Sequence, residues 1–260
     1  QFTPDLVPAD LVGTRIYRPD NGTFETEQGP VFCNLLLADE INRAPAKVQS
    51  ALLEAMQERQ VTIGLQSFPV PQPFLVMATQ NPIESEGTYP LPEAQVDRFM
   101  MKVLVDYPIP SEEMVVVQRS LQPQAEVKQV LPIAELQRFQ HLASDLYVDR
   151  AVAEYAIALA NSTRHPAKYG LAQHGPHIAY GSSPRGSINL VHAGRALALL
   201  RGRRYVLPSD IYDLAKDVLR HRLVLTYQAL ADGVTPDMIL DAALKAVPQP
   251  RIELAQEMSA

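Results

Sequence analysis

The sequence has few of the features that mark secreted, membrane or metal-caged proteins. Its single cysteine, Cys33, excludes an internal disulfide and a cysteine-based metal cage. No apolar run approaches the roughly 18 residues that cross a bilayer. The first ten residues also lack the basic start and long apolar centre of a signal peptide. We therefore expect a soluble, cytoplasmic protein without a membrane segment.

Positive charge is not in excess either. The 260 residues carry 23 Lys and Arg against 29 Asp and Glu, a formal net charge of −6, so the overall balance does not indicate nucleic-acid binding. The basic cluster RGRR at 201–204 ends a predicted helix, where cations suit the helix dipole; contact with nucleic acid through it is the alternative. Hydrophobic residues make up 47% of the chain, enough to fill the core of one large domain or two modest ones.

The N-terminal part alternates strand and helix signals. Asn21-Gly22 lies between TRIYR and TFETE, which predicts a β-hairpin between Gly13 and Pro30. Residues 31–38 follow as a strand, and their nearly continuous hydrophobicity predicts burial on both faces. This pattern favours a parallel α/β sheet.

A helix and further apolar stretches complete this part of the chain. Apolar residues trace one helical face at spacings of three and four, and they are Val48, Leu52, Ala55 and Met56. Residues 74–79 read as a second buried strand, and the apolar stretch 99–105 closes the α/β section. From about residue 111 helical periodicity takes over, so we expect an all-helical C-terminal half, with 122–130 as a linker.

Polar side chains follow both predicted strands. Asp39 and Glu40 end the first strand, and Thr79, Gln80 and Asn81 end the second. In an open parallel sheet, ligands bind beyond the carboxyl ends of the strands. One carboxylate there can hold Mg²⁺ through its water shell, and a second can polarise an attacking water. This is what a nucleoside triphosphatase needs; the alternative is that the acids only decorate a strand end and cap the next helix.

Four segments together resemble the MoxR family of AAA+ ATPases: LLLADEINRAP, LLEAMQERQVTI, FLVMATQNPIESEGTYPLPEAQVDRF and SSPRGSINL. The resemblance covers nearly the whole chain. It implies an α/β fold, with an incomplete P-loop NTPase-like AAA+ parallel-sheet core followed by an all-α lid domain. The implied domains are the core at 1–110, with a helix-2 insert hairpin at about 14–30, a linker and connecting helix at 111–130, and the lid at 131–260.

The resemblance also implies roles for five residues. Residues 35–40 match a Walker B motif, with Asp39 on the Mg²⁺ side and Glu40 as the base that activates water. Asn81 matches the sensor 1 position. Arg98 in VDRF resembles the arginine finger that acts on the nucleotide of the neighbouring subunit, and Arg185 in SPRG resembles sensor 2. Both arginines suit this chemistry because a guanidinium stabilises charge that develops on the transferred phosphoryl group.

Each of the last three residues has an alternative role. Asn81 precedes a proline and could be an ordinary turn residue. Arg98 could form a surface ion pair with Asp97 or Glu93. Arg185 stands in a first helical turn, where a cation gains nothing from the helix dipole, and this favours a phosphate-facing role over surface decoration. The hairpin, likewise, could be only an edge of the sheet.

One motif of the family is missing from this sequence. A glycine-rich loop of the type GxxxxGK[ST] cradles the phosphates, and the sequence contains no Gly-Lys pair. In the family this loop precedes the segment that QFTPDLVPADLVG resembles. We therefore interpret the chain as a piece of a longer protein, with a degenerate homologue as the alternative. We expect the chain alone not to hydrolyse ATP.

The resemblance implies an ATP hydrolase that uses ATP and Mg²⁺ for chaperone-like remodelling or maturation of a client protein. It further implies a homo-hexamer in the intact protein and a partner with a von Willebrand A domain. Two other functions compete with this interpretation. One is a non-catalytic interaction module derived from such an ATPase. The other is a DNA-dependent motor, which the net charge of −6 and the lack of an aromatic-and-basic stripe disfavour.

Overall fold

The computed structural model describes residues 1–81, 87–123 and 126–252. The chain divides into two compact units, Gln1–Arg98 and Phe99–Ala260, which we treat separately as unit 1 and unit 2. The domain boundaries at 110 and 130 remain predictions. None of the helices in the described part of the chain is long and apolar enough to span a bilayer.

Unit 1 mixes short helices with strands in three two-stranded sheets among its described residues. Its elements are α1 (Pro8–Val12), β1 (Gly13–Arg18), β2 (Thr23–Gln28), β3 (Leu35–Ala38), α2 (Ala46–Glu58), β4 (Gln60–Ile63), β5 (Gln66–Pro69), β6 (Leu75–Ala78) and α3 (Glu93–Val96). A 3-10 turn, Ile41–Arg43, separates β3 from α2.

The predicted hairpin is confirmed. Strands β1 and β2 pair antiparallel, from Gly13 opposite Gln28 to Arg18 opposite Thr23. In the connecting loop Gly22 has a positive φ of 66°. Asn21 acts differently, because its side-chain oxygen accepts hydrogen bonds from the backbone nitrogen and the hydroxyl of Thr23, at 3.1 and 2.6 Å. The Asx-turn geometry of Asn21 thus supports the glycine turn.

Strands β3 and β6 pair in parallel, with Ala38 opposite Ala78, which confirms the predicted parallel sheet. The prediction that both faces of the first strand are buried was wrong. Leu35 and Leu37 are 63% and 58% exposed, and Leu75 and Met77 on β6 are also exposed. Successive side chains of a strand point to opposite faces, and no described part of unit 1 covers the face that carries these four residues. Continuous hydrophobicity therefore predicts that a strand forms, but it does not predict which parts of the protein pack against that strand.

Helix α2 buries the predicted face. Val48, Leu52 and Ala55 are fully buried, Met56 is partly buried, and Pro45 is the residue that precedes the first turn. The hairpin of β4 and β5 was not predicted. It turns at Gly64 and Leu65, where the glycine has a φ of 65°. Its signal was the alternation of Val61 and Ile63, which are buried, with exposed polar residues.

Unit 2 is mostly helical. The prediction that it would be all-helical was wrong, because it also contains a short antiparallel strand pair. Its elements are α4 (Pro110–Ser120), α5 (Ile133–Asp145), α6 (Arg150–Arg164), β7 (Ile178–Tyr180), α7 (Pro184–Leu200), α8 (Pro208–Leu219), β8 (Val224–Leu225), α9 (Tyr227–Ala231) and α10 (Pro236–Ala246). The side chains of Asp149, Ser183, Thr226 and Thr235 accept backbone N–H bonds at the starts of four helices. These caps satisfy donors that a helix start leaves open.

The apolar stretch 99–105 does not close the α/β section. It belongs to unit 2 and contains no strand. Its backbone instead bonds within unit 2: the Lys102 nitrogen donates to the Asp217 carbonyl at 2.8 Å, and Arg222 donates to the Phe99 carbonyl at 2.6 Å. A strand needs a paired neighbour, and within the described residues this stretch has none.

Candidate functional site

The carboxyl ends of β3 and β6 lie side by side. Beyond the last strand pair, the Thr79 hydroxyl donates to Oδ1 of Asp39 at 2.7 Å and accepts from the Glu40 nitrogen at 2.9 Å. The Ile41 nitrogen donates to the Thr79 carbonyl at 3.0 Å. We call Asp39, Glu40 and Thr79 the strand-end cluster. The parallel pairing therefore brings both acids to the residue that ends the neighbouring strand.

Glu40 has an unusual backbone conformation. Its φ and ψ of 55° and 50° lie in the left-handed region, which costs a residue with a side chain on the order of 1–3 kcal/mol. The Glu40 carbonyl accepts from the Arg43 nitrogen at 2.8 Å, and its carboxylate lies 3.3 Å from Nε of Arg43. Nε2 of Gln1 also donates to this carboxylate, at 3.2 Å. Such strained residues persist where surrounding contacts hold them, and they cluster at functional sites.

Asn81 follows the same strand end as Thr79. It stands three residues beyond Ala78 and is partly buried. The next residues, 82–86, lie outside the described part of the chain.

Arg98 lies against α2. Its guanidinium donates to the Leu53 carbonyl at 3.5 Å. It also lines a cavity of about 310 Å³ together with Ser50, Glu54, Gln57, Glu58 and Gln95. Its backbone nitrogen donates to the Gln95 carbonyl of α3 at 3.1 Å. An exposed arginine in this setting is available to another molecule.

Arg185 belongs to unit 2. It stands in the first turn of α7, and its backbone nitrogen donates to the hydroxyl of Ser183, which caps the helix, at 3.2 Å. The side chain is exposed. The cap fixes where α7 begins and therefore where this guanidinium is presented.

The donor set at the strand ends suits Mg²⁺. Asp39 offers carboxylate oxygens and Thr79 a hydroxyl, which are hard ligands. Mg²⁺ usually takes one or two carboxylates together with water and phosphate oxygens. Within the described ranges no group of three or more His, Cys, Asp and Glu could hold a metal ion by itself. The arrangement therefore fits an ion shared with a phosphate rather than one held by protein alone.

Two residues of this region were missed by sequence reasoning. Arg43 contacts the Glu40 carboxylate, and Gln49 is fully buried beneath the turn that follows Glu40. The signal for Gln49 was its position, because it is adjacent to Val48 and four residues before Leu53 on the face that α2 buries. A glutamine at such a position indicates a specific hydrogen-bond partner.

Comparisons with known proteins identify both units. Residues 1–101 match the model of the AAA_3 family, described as an ATPase family associated with various cellular activities. Residues 172–243 match the model of the AAA lid domain. These matches agree with the predicted fold class, a parallel-sheet core followed by a helical lid.

Individual relatives agree with the family models. Chaperone MoxR1 of Mycobacterium tuberculosis is 53% identical over 252 residues, which cover 97% of this chain and 67% of the relative. YeaC of Bacillus subtilis is 42% identical over 252 residues, 96% of this chain and 76% of the relative. The crystal structure of a candidate ATPase from Cytophaga hutchinsonii superimposes with a TM-score of 0.90 at 47% identity, covering 96% of this chain and 77% of that one. The chain therefore belongs to the MoxR family of AAA+ ATPases.

Proposed function

We propose that the strand-end cluster carries out the hydrolytic step of a MoxR-type ATPase, with ATP and Mg²⁺ as its ligands. The observation that carries the proposal is the joining of Asp39 and Glu40 to Thr79 at the carboxyl end of the parallel pair. In α/β sheets this is where phosphate ligands bind.

The two acids have different tasks in this proposal. Asp39 would hold Mg²⁺, and its orientation is fixed by the Thr79 hydroxyl that donates to Oδ1. The ion, when bound, neutralises charge on the phosphate oxygens. Glu40 acts as the general base that takes a proton from the attacking water. Its left-handed backbone and its contact with Arg43 keep the carboxylate in one place.

Three further residues also have roles in this proposal. Asn81 orients the water or contacts the terminal phosphate as sensor 1. Arg98, which is exposed and contacts α2, acts as an arginine finger on the nucleotide of a neighbouring subunit, which requires the homo-hexamer. Arg185 acts as sensor 2 from the start of α7. The sequence has no GxxxxGK[ST] loop, so the described residues supply the hydrolytic half of such a site and not the phosphate cradle.

At the level of the whole protein, we propose chaperone-like remodelling or maturation of a client protein, coupled to ATP hydrolysis. Support comes from the 53% identity to a protein named Chaperone MoxR1. A partner with a von Willebrand A domain and a cytoplasmic location belong to the same proposal.

Phosphate release from Mg-ATP tests the hydrolytic role. In the intact protein, Glu40→Gln is expected to lower the rate by about 100-fold or more, the usual worth of a general base. Glu27→Gln is the matched control, because Glu27 is exposed on β2, in a different sheet from β3 and β6. Equal rates for Glu40→Gln and wild type would refute the role of Glu40. The 260-residue chain alone is expected to release no phosphate. Glu40-dependent release by this chain would contradict the proposal that it supplies only the hydrolytic half of the site.

A further inference from the structure

Gln49 is a fully buried amide on the otherwise apolar face of α2. It is adjacent to Val48 and three residues before Leu52, both of which are fully buried. Glutamine is rarely found at such positions unless its polar atoms have partners. Its partners therefore indicate why the position is polar.

The side-chain nitrogen of Gln49 donates to backbone carbonyls on two separate segments. It lies 3.0 Å from the Ala44 carbonyl, 3.0 Å from the Tyr89 carbonyl and 3.3 Å from the Ile41 carbonyl. An amide nitrogen carries two hydrogens, so the longer contact to Ile41 shares one of them. Ile41 and Ala44 bound the turn directly after Glu40, whereas Tyr89 belongs to the chain that follows Asn81.

Backbone bonds join the same two segments. The Tyr89 nitrogen donates to the Asn42 carbonyl at 2.6 Å. Within the turn, the Arg43 nitrogen donates to the Glu40 carbonyl at 2.8 Å and the Ala44 nitrogen to the Ile41 carbonyl at 3.2 Å. Gln49 thus belongs to a small hydrogen-bond network that includes the carbonyl of Glu40, the residue with the left-handed backbone.

The other end of the amide is not used. The side-chain oxygen of Gln49 is buried and has no hydrogen-bond partner among the described residues. A buried acceptor without a partner is unfavourable. The donor side of Gln49, rather than its packing or its acceptor, therefore explains a glutamine at this place.

We propose that Gln49 is a positioning residue for Glu40. By holding the carbonyls of Ala44, Ile41 and Tyr89, it fastens the turn at 41–44 to the segment of Tyr89. The turn in turn keeps Glu40 in its left-handed conformation beside Thr79. This inference rests on the proposed function, in which Glu40 is the base.

Amide hydrogen exchange tests the structural part. Gln49→Met keeps the length of the side chain and removes both donated hydrogens. Leu52→Met is the matched control, because Leu52 is fully buried in the same helix and has no side-chain hydrogen bond to lose. We expect the amides of Arg43, Ala44 and Tyr89 to exchange roughly 10-fold faster in Gln49→Met than in the control, since local opening is set by local contacts. Equal protection of these amides in both variants would overturn the inference.

Steady-state kinetics of the intact protein test the functional part. We expect Gln49→Met to lower kcat by about 10- to 100-fold, as the loss of a positioning contact does, and to leave the Kd of an ATP analogue within about twofold. A purely structural role would change stability and leave kcat of the folded protein as in Leu52→Met, and that result would overturn the inference. Gln49→Leu is a second apolar variant. The test is made with whichever of these two variants folds.

The two proposals fail in different ways. Absence of Glu40-dependent turnover in the wild-type intact protein would contradict the proposed function. The exchange comparison needs no nucleotide, so it decides on Gln49 whatever the turnover shows.

Discussion

The hydroxyl of Thr79 joins both acids of the strand-end cluster. It donates to Asp39 and accepts from the Glu40 nitrogen. Thr79→Val keeps the shape and removes both bonds. We expect turnover by the intact protein to fall by about 10- to 100-fold. The free energy of unfolding is expected to fall by about 1–2 kcal/mol.

Thr62→Val is the matched control for this substitution. The Thr62 hydroxyl, on the hairpin of β4 and β5, contacts only the hydroxyl of Ser67 among the described residues, at 3.0 Å, and both are exposed. Its stability change is expected to stay within about 0.5 kcal/mol. If both valine variants kept wild-type turnover, Thr79 would have no part in the chemistry.

Asp210 is a buried carboxylate in the lid, and its stability contribution depends on pH. Burial works against its ionisation, but hydrogen bonds from Arg203, the Leu207 nitrogen and Arg201 outweigh burial and hold the pKa of Asp210 below its usual value. Because the pKa is lower in the folded state than in the unfolded state, this contribution is present above pH of about 4. It is lost as the pH falls through the folded-state pKa.

We therefore expect Asp210→Asn to lower the free energy of unfolding of unit 2 by about 3 kcal/mol at pH 7, because it breaks a buried ion pair. The deficit relative to wild type should shrink below pH of about 4. Urea unfolding at pH 7 and pH 3 measures both. Asp241→Asn, which removes a partly exposed partner of Lys216, is the control and should cost less than about 1 kcal/mol. A deficit that is the same at both pH values would contradict this explanation.

At the scale of elements, α7 and α8 approach closely where Gly186 lies. A Cβ atom at Gly186 would come within 2.0 Å of the Ser182 hydroxyl and 2.9 Å of a methyl group of Leu219 on α8. Gly186→Ala is therefore expected to cost about 1–3 kcal/mol from overpacking, more than the gain of up to about 1 kcal/mol from helix propensity. Thermal or urea unfolding measures the change. Ile188→Ala, at an exposed position of α7, should change stability by less, and the opposite order would contradict the packing argument.

Elements with local signals could be predicted from the sequence. The hairpin of β1 and β2, the buried face of α2 and the caps of the lid helices follow from turn residues, spacing and capping residues. What covers a strand is a non-local property. For this reason the exposed side chains of Leu35, Leu37, Leu75 and Met77 and the missing strand at 99–105 could not be foreseen.

The candidate site shows the same division. The acids Asp39 and Glu40 were recognisable as the polar end of an apolar strand. The hydrogen bonds of Thr79 and Gln49 join residues up to 40 positions apart in the sequence. The left-handed backbone of Glu40 stands among these contacts. No local pattern encodes them, although a polar residue on a buried helix face was a clue.

At the scale of the whole molecule, the proposed site needs more than one subunit, because Arg98 would act on a neighbour. Intact Glu40→Gln and Arg98→Ala proteins should each be nearly inactive. When they are mixed in equal amounts and allowed to exchange subunits, random cyclic assembly gives intact Glu40 beside intact Arg98 at roughly one quarter of the interfaces. We expect turnover to recover in that proportion. Turnover no higher than that of the two separate proteins would contradict an arginine finger supplied by a neighbour.

The most direct test of the central claim is the identity of the nucleotide that the intact protein holds after incubation with Mg-ATP. Glu40→Gln removes the proposed base and keeps Asp39 and Thr79, so this variant is expected to retain unhydrolysed ATP while the wild type contains ADP. Acid quenching and chromatographic separation of the bound nucleotide give the answer. If Glu40→Gln contained ADP to the same extent as the wild type, the strand-end cluster would not be the hydrolytic site.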